Sequence, residues 1–218
     1  MTDLLTGTHI FMDAAGQTIG GGFEDKAERE LRLDLLREEV QEYLDAEQKG
    51  DMVKIADGLL DISVIAWGTL LSYNGKNLED ILGTGTLLSF FGNNDGFRDI
   101  AAPNIENLRP YFFRYIKGDY DAIALAESNN DLHKVNWTLV DILAETWSTL
   151  IAYFGSDLAL DLAAEVTRSN LDKINGKHGP IVWAGEPKKS KVLKPEGWVG
   201  PQLVEVFAKH GIGEVVAA

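Results

Sequence analysis

Apolar positions along this chain recur at helical rather than strand spacing. From Glu24 to Glu47 they fall at Leu31, Leu35, Leu36, Val40 and Leu44, about one turn apart, which marks one face of a helix. Lys49 and Gly50 interrupt the pattern, and Asp51 is placed to cap a second helix. That helix carries Val53, Ile55, Leu59, Leu60, Ile62, Val64, Ile65, Trp67 and Leu70, apolar nearly all round, which predicts a central position in a bundle. It ends at Tyr73, Asn74 and Gly75, where Asn-Gly suits a left-handed helix terminus. A third helix is expected over Leu78 to Phe91, then a linker of turn formers from Gly92 to Gly96. The plan then recurs: a helix from about Asn104 to Glu127, a break at Ser128 to Asn130, a helix from Asp131 to Tyr153, and another from Asp157 to about Ile174. From Asn175 to Val199 no period is evident, which predicts an extended tail, with a short closing helix at Gln202 to His210.

The recurrence extends to residue identity. Asp51 to Gly75 aligns without a gap on Asp131 to Gly155, and Asp51, Lys54, Leu59, Asp61, Ile62, Trp67, Thr69, Leu70, Tyr73 and Gly75 all reappear, ten of twenty-five positions. Unrelated segments of this composition would share roughly one or two. The fold class expected is all-α: a helical bundle of two fused, pseudo-twofold-related units. Residues 1–92 form the first repeat, 93–174 the second and 175–218 a basic tail, within one compact domain.

Composition narrows the chemistry. A formal net charge of -14 repels nucleic-acid phosphate and anionic lipid, so neither is an expected partner. The absence of cysteine excludes disulfides, thiolate zinc sites and a cysteine nucleophile, and no leading run reads as a signal peptide or a membrane span. The expectation is a cytoplasmic protein. Yet Lys173, Lys177, Lys188, Lys189, Lys191 and Lys194 gather six of the twenty basic residues near the C-terminus, where they can close over an anion or merely solvate a loop.

Glu39 and Glu42 lie three apart and Glu38 and Glu42 four apart, so their carboxylates share or flank one helical face. Asp57 and Asp61 do the same on the next helix, where they interrupt an apolar sequence. A short connection makes the two helices antiparallel, so the acids can meet across a groove and hold Mg²⁺ or Mn²⁺, hard cations that prefer carboxylate oxygen. The bland alternative, a solvated face for the glutamates and a buried ion pair for Asp61, is weakest for Asp57. In the second copy Asp57 becomes Trp137 and Glu42 becomes Ala122, whereas Asp61 is kept as Asp141.

REEVQEY at Arg37 to Tyr43, followed by VKIADGLLDISVIAWGTLLSYNG, resembles the all-α nucleoside triphosphate pyrophosphohydrolases, which include MazG-like enzymes, dimeric dUTPases and phosphoribosyl-ATP pyrophosphohydrolases. The resemblance implies an ExxE motif on one helix and ExxD on the next, binding Mg²⁺ for hydrolysis of a triphosphate to monophosphate and pyrophosphate. Glu39 and Glu42 match the first motif, with Glu38 as an added acid. The second departs from the pattern: Gly58 stands three before Asp61, so Asp57, one residue earlier than usual, is expected to supply the other ligand. EVTRSNLDK at Glu165 to Lys173, with GKHGPIV and KKSKVLKPEGW, continues the resemblance and implies that Asn170 and Lys173 bind phosphates, joined by Lys191 and Lys194. Position 90 of the first copy is Phe where the second has Asn170, so each copy lacks what the other keeps.

The expected metal ligands are therefore Glu39, Glu42, Asp57 and Asp61, with Glu38 or Glu39 as the base. Gln17, in the family-like HIFMDAAGQ, and Trp137 are candidates for the base pocket, although aromatic residues at helical spacing are more often core. His9, His133, His178 and His210 match no metal or triad spacing, and Gly20 to Gly22 lack a P-loop lysine and read as a turn or hinge. A (d)NTP is the expected substrate, with nucleotide-pool cleaning as the role, in a monomeric fused pseudo-dimer or a homodimer of it. The alternatives are a catalytically inactive nucleotide-sensing or scaffold protein and phosphoribosyl-ATP hydrolysis.

Overall fold

A computed structural model describes residues 2–75 and 105–212, the stretch 105–114 by its backbone. The helix expected at Leu78 to Phe91, including Phe90, and the Gly92 to Gly96 linker lie outside the described residues. Among the described residues the fold is all-α: α1 (Leu4–Ala15), α2 (Lys26–Lys49), α3 (Met52–Asn74), α4 (Ile105–Ser128), α5 (Leu132–Phe154), α6 (Ser156–Asp172) and α7 (Leu203–Lys209).

The capping chemistry repeats with the sequence. Asp51 accepts a hydrogen bond from the Lys54 N–H at 3.0 Å to start α3, and Asp131 accepts from the Lys134 N–H at 3.0 Å to start α5. Each satisfies a backbone donor that a helix start leaves without a partner. The turn at Gly20 and Gly21 caps the end of α3, donating from its N–H groups to the carbonyls of Leu71 (3.0 Å) and Tyr73 (3.4 Å). Gly75 adopts φ 66°, and a side chain there would approach the Gly20 Cα at 3.1 Å, so two glycines are needed where these backbones touch.

Helix α1 is the element that periodicity missed. Gly7 and the β-branched Thr6, Thr8 and Ile10 are poor helix formers, so propensity alone does not mark it. Two features hold it in place. Asp3 caps it by accepting from the Thr6 N–H at 2.9 Å, and Gly7 lets it close on α6, where a Cβ would overlap the Thr167 methyl.

Helix α3 runs through the core. Ile55, Leu59, Leu60, Ile62, Ala66 and Leu70 are all buried, against α1, α2, α5 and α6. By length and composition alone it is long and apolar enough to cross a membrane, and 72% of that apolar window is buried inside the protein.

The α2–α3 and α4–α5 pairs meet through reciprocal bonds. The Tyr73 hydroxyl donates to Glu127 and the Tyr153 hydroxyl to Glu47, both at 2.6 Å, and each partner is offset by eighty positions from its counterpart. Asn74 and Asn136 exchange two amide bonds at 2.9 Å, and the Ser63 and Thr146 hydroxyls meet at 2.8 Å. Of these contacts, the two tyrosine–glutamate bonds are the ones related by the eighty-residue offset.

Tyr73→Phe leaves the buried Glu127 carboxylate without that donor. It is expected to destabilise the fold by about 1–3 kcal/mol, read as a lowered urea midpoint with an unchanged m-value; an unaltered midpoint contradicts the role given to the bond.

Candidate functional site

Helix α2 sets Arg32, Leu35, Glu39 and Glu42 along one stripe, spaced three and four apart, and α3 does the same with Asp57, Asp61, Ile65 and Gly68. The stripes run antiparallel across a cleft of about 220 Å³. Of the residues expected to act, Glu38, Glu39, Glu42, Asp57, Asp61, Asn170, Lys173, Lys191, Lys194 and Gln17 all line this one cleft. Trp137 does not: it is 55% exposed on α5, where its indole N–H donates to His133 at 3.0 Å, so the base-pocket expectation finds no geometric support at that residue. Like the acid it replaces, position 137 falls in the first turns of its helix, but the helix is the one from the other unit.

Glu39 is buried, and its pKa rises from 4.5 to about 7 because of that burial, with Lys191 opposing the shift and Glu42, Glu38 and Asp57 adding to it. Asp61 lies at the cleft floor, enclosed by protein though still open to the cleft itself. Desolvation pushes its carboxyl well above the usual range, and Asp57, Glu39 and Glu42 push it the same way while Lys173 opposes them. The acids thus stand close enough to repel, in surroundings that penalise ionisation.

Lysines supply the counter-charge. Lys54 pairs with Asp57 at 2.9 Å, and Lys191 reaches across from the tail to Glu38 at 2.7 Å and Glu39 at 4.0 Å. Lys173, at the C-terminus of α6, donates to Asn170 Oδ1 at 2.8 Å; burial lowers its pKa, and Asp61 works against that.

The tail is docked rather than loose. Asp172 accepts from the Asn175 amide at 2.8 Å and lies 2.9 Å from His178 Nε2, which folds the chain back as α6 ends. A bridge between Trp183 and Val192, with Ala184 N–H to Lys191 carbonyl at 2.9 Å and Leu193 N–H to Val182 carbonyl at 2.8 Å, forms a narrow loop that carries Lys191 to the cleft. Trp198 donates to the Ser169 carbonyl at 2.9 Å, and its ring lies under Lys173 (4.8 Å) and Lys194 (5.3 Å). The negative face of an aromatic ring attracts a cation, so Trp198 favours both ammonium groups where they stand. Lys177 and Lys189 pair instead with Asp172 and Glu186, so they do not belong to the group that lines the cleft.

Sequence reading missed Arg32, Lys54 and Trp198 as site residues. Arg32 and Lys54 carried a signal in their spacing, seven residues before Glu39 and three before Asp57 on the same helices. Nothing in the local sequence told that Trp198 would lie between two lysines.

Gly58 has a steric reason. A Cβ there would sit 3.0 Å from both Cα and Cβ of Tyr43, so α2 and α3 cross too closely for a glutamate at that position. Asp57, one residue earlier, faces the cleft.

Oxygen donors of this kind suit Mg²⁺ or Mn²⁺. The expected convergence on a single point is not seen: among the described residues no three His, Cys, Asp or Glu side chains come together closely enough to hold a metal ion. The donor chemistry fits a hard cation, while Lys54 and Lys191 occupy Asp57 and Glu38 in the arrangement described.

No family model, curated protein or solved structure matches the chain.

The second half is less stripped of acid than its motifs suggested. Asp119 stands eighty positions after Glu39, and it meets Asp141 and Glu145 between α4 and α5. Asp119 Oδ2 and Glu145 Oε2 are buried without a hydrogen-bond partner. Burial, then Asp119, then Asp141 raise Glu145 from 4.5 to about 7; Lys134 opposes the similar shift of Asp119. An acid whose folded pKa is raised binds more protons folded than unfolded, so its contribution falls as pH climbs from about 4.5 to about 7. Glu145→Gln is therefore expected to change Tm little near pH 5 and to raise it by about 2–4 °C at pH 8, on the order of 1 kcal/mol. An offset that is the same at both pH values contradicts this account.

Proposed function

We propose that the protein is a divalent-metal-dependent nucleoside triphosphate pyrophosphohydrolase, converting a (d)NTP to the monophosphate and pyrophosphate. The observation that carries this reading is the single cleft in which carboxylates of α2 and α3 face Asn170, Lys173, Lys191 and Lys194. Acids alone would repel a triphosphate, and lysines alone would bind it without activating water. Together they answer both needs.

Glu39, Glu42, Asp57 and Asp61 are the residues that would hold Mg²⁺ or Mn²⁺. When bound, such an ion supplies charge neutralisation at the phosphates and lowers the pKa of water. Lys173 and Lys194 take the phosphate oxygens, with Asn170 positioning the Lys173 ammonium through its 2.8 Å bond. Lys191 exchanges Glu38 for phosphate, and the freed carboxylate of Glu38, or that of Glu39, accepts the proton from water. The water oxygen bonds to the α-phosphorus, the bond from that phosphorus to the α–β bridging oxygen breaks, and pyrophosphate leaves with the electron pair. On this reading the sequence repeat is a covalently fused dimer with one composite site, its acids from the first unit and its phosphate-binding residues from the second.

That no three ligands converge among the described residues favours one rival, a nucleotide-sensing or scaffold protein that binds without turnover. Pyrophosphate release decides between them. With Mg²⁺ and a panel of canonical and modified NTPs and dNTPs plus phosphoribosyl-ATP, wild type is expected to turn over at least one substrate, and Glu42→Ala to lose at least about tenfold in kcat/KM, ~1.4 kcal/mol. No turnover with any substrate, or undiminished turnover in the variant, overturns the proposal.

A further inference from the structure

The cleft has two unlike ends. Arg32 and Glu39 are seven residues apart on one stripe of α2, which is roughly 10 Å along the helix. Beyond the acids the walls turn apolar: Leu35 from α2, Met12 and Phe11 from α1, and Val64 and Ile65 from α3. In this apolar end lies Arg32, only 4% exposed and lining the cleft.

Glu28 fixes the guanidinium. Arg32 Nε donates to Glu28 Oε1 at 2.7 Å, Ser72 Oγ donates to the same oxygen at 2.7 Å, and Thr18 Oγ1 reaches Oε2 at 3.3 Å. Both charged side chains are 4% exposed, and α2 holds them one turn apart. Among the described residues its one hydrogen bond runs through Nε, and its terminal nitrogens are not fully buried, so they open onto the cleft. Position 68 has no side chain to obstruct them: a Cβ on Gly68 would sit 3.4 Å from Arg32 Nη1 and 3.3 Å from the Met12 sulfur. A guanidinium cannot shed its proton and presents its donors in a fixed planar fork. A base that enters the cleft displaces water from these donors and must supply acceptors in its place.

We propose that this end of the cleft is a nucleobase subsite, in which the terminal N–H groups of Arg32 donate to N7 and O6 of a 6-oxopurine, selecting guanine-type nucleotides. The assignment of a nucleotide to the cleft rests on the function proposed above; the choice of base does not. Guanine and hypoxanthine place two acceptors side by side on one edge, which matches the fork. Adenine puts an amino donor beside N7, and would press donor against donor. Uracil and thymine flank each carbonyl with a carbon or an N–H, and cytosine, which does set O2 beside N3, presents them on a single ring that covers less of the apolar walls. The flat apolar walls suit a purine face, and Gln17, with both a donor and an acceptor, completes the polar rim.

Equilibrium binding of deoxynucleoside monophosphates to the full chain tests this without requiring turnover. dGMP and dIMP are expected to bind within a few-fold of each other, and 7-deaza-dGMP, dAMP and dCMP each about tenfold or more weaker than dGMP. Equal binding of dGMP and 7-deaza-dGMP, affinity for dAMP or dCMP matching that for dGMP, or no dGMP binding at millimolar concentration overturns the assignment. Arg32→Lys keeps a cation beside Glu28 but loses the fork, and is expected to reduce the dGMP-to-dAMP affinity ratio about tenfold. A purely structural ion pair would leave that ratio unmoved. Should the variant fail to fold, the 7-deaza comparison in wild type still decides. Selective dGMP binding with no pyrophosphate release from dGTP sinks the hydrolase reading and keeps the subsite; turnover blind to the base does the reverse.

Discussion

Asp61 projects from a core helix into a cleft already shared by Asp57, Glu39 and Glu42, and the rest of the site answers the electrostatic cost of that crowding. Within the α2–α3 pair, Lys54 is the base that answers these acids, pairing with Asp57 and also acting on Glu42. The remaining positive charge arrives from more than a hundred residues away, as Lys173 at the end of α6 and Lys191 on the docked tail. Coulomb attraction between these groups is strong only because the cleft is partly closed from water. The same enclosure that makes the acids costly therefore makes the lysines effective, and it ties the tail to the bundle.

The two helix pairs are also joined directly. Tyr73 with Glu127 and Tyr153 with Glu47 join the two helix pairs, and α6, which follows the second pair, delivers Asn170 and Lys173 to acids of the first. The α1 helix closes the other side, possible only because Gly7 permits contact with Thr167. Glycine stands at three crowded points: Gly7 under the Thr167 side chain of α6, Gly58 against Tyr43 of α2, and Gly20 against the Gly75 backbone. Small residues at these crossings fix the helix positions, and the helix positions fix the cleft.

Much of this was legible in the sequence because it depends on helical periodicity. The stripes holding Glu38, Glu39, Glu42, Asp57 and Asp61, the caps at Asp51 and Asp131, and the helix bounds follow from spacing and from local side-chain bonds, which the chain states directly. Helix α1 was hidden because its stability comes from tertiary contact rather than from propensity. Trp198 was hidden for a similar reason: its role depends on where a stretch without period folds back. Trp137 stood out as a base-pocket candidate because it replaces an acid at a repeat position, whereas α5 presents that position to solvent. Gly58, which looked like a lost ligand, records a close helix crossing.

The central claim is that one cleft, built from both halves, holds an entire nucleoside triphosphate. A crystal structure with Mg²⁺ and a non-hydrolysable dGTP analogue tests it most directly. The account predicts phosphate oxygens within hydrogen-bond distance of Lys173 and Lys194, the metal on carboxylates of α2 and α3, and the base at Arg32. An analogue bound elsewhere, or one whose phosphates touch residues of only one half, would contradict it.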